Sequence, residues 1–97
     1  METGVLSLQE IAQCVTPLAK KYKIAEVYVF GSYARNEATS ESDVDFLVEL
    51  QKGASLFDLM DLQDEYEALL NCKVDVVSRR GLNPYLRDNV LREAVVL

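Results

Sequence analysis

The sequence predicts an α/β (α+β) domain with its elements in the order αβαβαβα and a small three-stranded sheet at its centre. Two observations carry this. Three short runs rich in β-branched and aromatic side chains, 25–30 (AEVYVF), 43–50 (DVDFLVEL) and 73–78 (KVDVVS), read as strands. Between and around them, apolar residues recur at helical spacing behind good N-cap residues. Length and composition agree: 97 residues suffice for a single domain over 1–97 and not for two, and 49% apolar with 27% charged residues is ordinary globular composition.

The elements follow in chain order. Ser7 to Glu10 fits a capping box, and Leu8, Ile11, Val15, Leu18 and Tyr22 continue at helical spacing, so a first helix is expected to run to about Lys21, kinked or split near Val15 by Pro17. The 25–30 strand stops at Gly31. Ser32 supplies an N-cap for a short helix over 33–37, followed by a polar loop. From Asp43 the period is two, with Val44, Phe46, Val48 and Leu50 on one face and Asp43, Asp45, Leu47 and Glu49 on the other. Gly53 ends this strand, and Leu56, Leu59, Leu62, Tyr66 and Leu69 form the apolar stripe of a helix over about 55–70, capped by Ser55. After the 73–78 strand, Asn83 caps a last helix with Pro84 at its first position and Leu86, Val90, Leu91 and Ala94 as its expected buried face. The apolar end Val95, Val96 and Leu97 suits packing on the first helix first, and a homodimer or partner surface second.

Charge narrows the function classes. Net charge is −6, and nine acidic residues lie between Glu41 and Glu67 against Lys52 alone, whereas Lys73, Arg79, Arg80 and Arg87 follow against Asp75. An acidic body repels a polynucleotide, so nucleic acid is a poor direct partner, and a divalent cation or its anion complex suits the chain better. The chain has no histidine, which removes Ser-His and Cys-His nucleophile pairs, and Cys14 and Cys72 form no metal-ligand motif. Carboxylates remain as the reactive groups. No apolar run approaches the roughly 20 residues of a membrane span, and METGVLSLQE lacks the features of a signal peptide, so a cytoplasmic protein without membrane association is expected.

Asp43 and Asp45 are two residues apart on one strand face, their Cα atoms roughly 6.5 to 7 Å apart. Such a pair repels itself unless solvent, arginine or a divalent cation supplies positive charge, and hard carboxylate oxygens suit Mg²⁺ or Mn²⁺. Alone, the pair reads more readily as the start of an exposed strand or a turn cap than as a metal site. Asp75 interrupts a short apolar strand, where an aspartate is unfavourable. If the second and third strands are parallel neighbours joined by the 55–70 helix, Asp75 joins Asp43 and Asp45 in a cluster able to hold two metal ions; otherwise it pairs with Lys73 or Arg79. Gly31 and Ser32, at a strand end, permit close backbone approach to a phosphate.

The stretch VYVFGSYARNEATSESDVDFLVEL, with Gly31-Ser32, ten residues and Asp43-x-Asp45, resembles the minimal nucleotidyltransferases of the superfamily that includes DNA polymerase β, and the resemblance extends over nearly the whole chain. It implies the nucleotidyltransferase fold, a mixed sheet flanked by helices with the first two strands antiparallel. It implies ATP as donor, Mg²⁺ as cofactor in two ions, triphosphate contacts from Gly31 and Ser32, and metal ligation by Asp43, Asp45 and Asp75, with Asp75 helping to deprotonate the acceptor hydroxyl. Arg35 follows Gly31-Ser32 closely enough to reach the phosphates, and is equally read as a solvent-facing arginine. Members of this size resemble antitoxins that bind a HEPN-domain toxin and attach AMP to it. The sequence departs from the family at Asn36, where glycine is frequent. Two other readings remain open: a module that keeps the fold and neutralises its partner by contact alone, and nucleotidyl transfer to a small molecule.

Overall fold

The computed structural model describes residues 5–97. Helix α1 (Leu8–Val15) opens with the expected capping box, Ser7 Oγ accepting from the Glu10 amide and Glu10 Oε1 from the Ser7 amide. It stops short of Lys21. Pro17 cannot donate to the helical ladder, and the chain tightens into a 3₁₀ turn over Thr16–Leu18 before entering strand β1 (Ile24–Phe30).

Residues 33–37, expected as a short helix capped by Ser32, form no helix; the chain turns over 31–36 instead. The Arg35 amide donates to Gly31 O (3.1 Å) and the Glu37 amide to Ser32 O (2.9 Å), while Gly31 and Asn36 both take positive φ, +76° and +60°. A left-handed residue at 36 ends any helical run. Asparagine tolerates that conformation better than most residues, which explains the departure from glycine at this position.

Strand β2 (Val44–Leu50) runs antiparallel to β1, and β3 (Val74–Ser78) runs parallel to β2, with Asp45 opposite Asp75. Helix α2 (Leu56–Leu70) makes the crossover and ends at Asn71, which is left-handed at φ 53°. Its buried positions are Leu62, Tyr66 and Leu70. The stripe is therefore rotated from the one expected: Leu56 and Leu69 face solvent, because the sheet meets the Leu62–Tyr66–Leu70 ridge.

The last helix, α3 (Pro84–Glu93), begins at the Asn83 cap as expected but has no buried residue, and Leu86 is exposed. The chain end departs further. Val95–Val96 forms a fourth strand, β4, antiparallel to β1, and the Leu97 amide donates to Val27 O. Among the described residues the sheet thus has four strands in the order β3-β2-β1-β4. The tail covers a backbone edge of β1 that would otherwise be unpaired, which is why it joins the sheet instead of only packing on α1.

One sheet face packs against α1 and α2 around Ile11, Val15, Val29, Val44, Phe46, Val48, Leu62, Tyr66 and Val74, all fully buried. The alternate residues of the strands, among them Asp45, Leu47 and Glu49 of β2 and Asp75, Val77 and Arg79 beside them, belong to the second face. Helix α3 reaches from the Glu49 end of that face, through Arg87, to Gly31, through Glu93. Among the described residues no helix is long and apolar enough to cross a membrane.

Candidate active site

The parallel register of β2 and β3 sets Asp45 directly beside Asp75, and Asp43 precedes β2 on the same side. Asp45 also pairs in register with Phe30, the last residue of β1, so the turn beginning at Gly31 lies against its carboxylate. The approach is close. A Cβ on residue 31 would run into Asp45 Oδ2, and the φ of +76° is one that glycine adopts without strain.

Asp45 is partly buried and its carboxyl is pushed up from 3.8 to about 6, first by burial, then by the charges of Asp75 and Asp43; Arg35 opposes this and Glu93 adds to it. The centre therefore carries more negative charge than its surroundings neutralise. Among the described residues no three carboxylates converge closely enough to form a ready-made metal cage. The donor set nevertheless fits Mg²⁺: oxygen ligands only, a surplus of negative charge, and an edge-strand Asp75 exposed to solvent.

The turn supplies the opposite character. The Gly31 amide donates to Glu93 Oε1 (2.9 Å), while the amides of Ser32, Tyr33 and Ala34 meet no acceptor among the described residues. Consecutive unpaired amides form a concavity suited to an anion. Arg35 is half-exposed and neither free nor aimed at open solvent: its guanidinium pairs with Glu37 (2.6 Å) and Glu93 (3.1 Å). Glu93 is the residue that sequence reasoning missed. It stands 62 positions from Gly31, at the far end of another helix, and no local spacing signals the contact.

The model of the nucleotidyltransferase domain family matches residues 11–97. The chain belongs to that family. The protein adenylyltransferase MntA of Thermococcus cleftensis is 39% identical over 96 residues, covering 95% of this chain and 97% of the relative. A solved structure assigned as a minimal nucleotidyltransferase superposes with a TM-score of 0.83 at 44% identity, covering 93% of this chain and 92% of that one. The complex of a tri-AMPylated HEPN toxin with its MNT antitoxin from Shewanella oneidensis contains the same fold, with a TM-score of 0.70 at 21% identity over 91% of this chain and 69% of that one. The nucleotidyltransferase fold accounts for the mixed sheet and its flanking helices. This chain is a nucleotidyltransferase whose described residues form a mixed sheet and its helices.

Proposed function

We propose that this nucleotidyltransferase moves AMP from ATP to a hydroxyl on a HEPN-domain partner protein, and so acts as an antitoxin. The observation that carries the reading is the register of Asp45 with Asp75 beside the amide-lined turn at Gly31. The adenylyltransferase activity named for the 39% identical relative supports the donor and the reaction, and the fold shared with the MNT partner of an AMPylated HEPN toxin supports the acceptor.

In this reading Gly31 and Ser32, with the unpaired amides after them, hold the triphosphate, and Arg35 adds positive charge beside it. Asp43, Asp45 and Asp75 hold Mg²⁺. When bound, the cation neutralises charge on the attacking and leaving oxygens of phosphoryl transfer. The acceptor oxygen forms a bond to the α-phosphorus as the bond to pyrophosphate breaks, and the hydroxyl proton passes to Asp75, the exposed member of the carboxylate set. Asp45, partly buried, holds its place through its strand pairing on both sides.

The test is incubation of the protein with α-labelled ATP, Mg²⁺ and a HEPN-domain protein encoded beside it. Transfer of label to the partner, lost in Asp45→Asn, is expected. A tight complex without any label would overturn transfer and leave neutralisation by contact.

A further inference from the structure

The second face of the sheet has a basic end. Glu49, Leu50, Ser78, Arg79, Arg80 and Arg87 line a cavity of about 300 Å³ at the C-terminal ends of β2 and β3, with Arg87 contributed by α3. Arg79 lies 3.7 Å from Glu49, whereas Arg80 and Arg87 have no carboxylate within 4.0 Å among the described residues. Two unneutralised guanidiniums in one concavity are unusual on a chain of net charge −6, where acidic partners outnumber them. The cavity is also placed in line with the acidic centre: Glu49 follows Asp45 by four residues on one strand face, roughly 13 Å at about 3.3 Å per residue.

We infer that this cavity is an acceptor subsite, which binds a carboxylate-bearing segment of the acceptor protein about four extended residues from the hydroxyl that receives the nucleotide. The inference rests on the acceptor's being a protein, as proposed above. A triphosphate seated at the Gly31 turn leaves only its uncharged nucleoside to extend further, and that cannot neutralise a guanidinium pair as a carboxylate does. An acidic acceptor segment, by contrast, meets repulsion at Asp43, Asp45 and Asp75 and attraction at Arg80 and Arg87. The charge pattern thus favours the acidic part of the acceptor at the cavity and its hydroxyl at the carboxylates.

Fluorescence anisotropy with a fluorescein-labelled hexaglutamate peptide tests this without any transfer reaction. The wild type is expected to bind it at low salt, Arg80→Ala/Arg87→Ala to bind it at least tenfold more weakly, and Lys20→Ala/Arg92→Ala, which removes equal charge elsewhere, to bind it like the wild type. MgATP affinity, measured by calorimetry, is expected to stay within twofold in the arginine variant. No binding by the wild type, equal weakening in both double variants, or loss of MgATP affinity in the arginine variant each overturns the subsite. A protein that holds the peptide but labels no partner would sink the proposed transfer and the acceptor role of the cavity with it, while binding of an acidic segment at Arg80 and Arg87 would stand.

Discussion

The carboxylate of Asp45 fills the space that a side chain on residue 31 would need. Gly31 therefore answers two demands at once: a left-handed turn at φ +76°, and close approach of that turn to the acidic centre. Gly53 provides the internal control, since it has φ +94° but nothing among the described residues within 4 Å of its missing Cβ. Gly53→Ala is expected to cost about 1 kcal/mol from backbone strain alone, and Gly31→Ala about 3 kcal/mol together with a loss of nucleotidyl transfer of about a hundredfold or more. Urea unfolding and a transfer assay check both. Equal costs at the two positions would show that contact with Asp45 contributes nothing.

Asp45 is expected to trade stability for function. Its carboxyl is raised to about 6 in the folded protein, so the folded state holds the proton more tightly than the unfolded chain does, and stability falls as pH rises from about 3.8 to about 6. Above that window the full cost applies, on the order of 2 kcal/mol after allowance for solvent screening. Asp45→Asn should accordingly be more stable than the wild type at pH 7.5 and indistinguishable from it near pH 4, while losing transfer. Mg²⁺ should raise the wild-type Tm, and chelation should reverse the gain; Asp45→Asn should respond to neither. A variant less stable than wild type at pH 7.5 would contradict the electrostatic account.

Glu93 occupies groups that a phosphate would use, because its carboxylate takes both the Gly31 amide and the Arg35 guanidinium. Glu93→Gln keeps an acceptor oxygen and removes the charge. ATP affinity is expected to rise about three- to tenfold, equivalent to about 1 kcal/mol, as an internal competitor anion is lost. Calorimetry with ATP decides the point: weaker binding would mean that Glu93 serves chiefly to orient Arg35.

Tyr66 lies fully buried with its ring tilted against Phe46, centroids 4.8 Å apart, and its hydroxyl has no hydrogen-bond partner among the described residues. An orphaned buried hydroxyl costs about 1 to 3 kcal/mol in desolvation. Tyr66→Phe should raise the urea midpoint by the equivalent of about 1 kcal/mol with an unchanged slope and unchanged transfer. A lower midpoint would imply that the hydroxyl is solvated in solution.

Local spacing by itself determined the Ser7 capping box, the break at Pro17, the two-residue period of β2 and the Asn83-Pro84 start of α3, because each depends on groups within a few residues along the chain. It also made Asp43, Asp45 and Asp75 candidates, since three acids at the starts of two apolar strands need a common reason. Only the tertiary structure decided that Leu70 and not Leu69 meets the sheet, that α3 leaves its apolar side chains largely uncovered, and that Val95–Val96 closes the β1 edge. It alone brought Glu93 to Gly31 and collected Arg79, Arg80 and Arg87 around one cavity. The physical reason is range: periodicity and capping are local interactions written in residue spacing, whereas a contact across 62 residues depends on how the whole sheet and its helices pack.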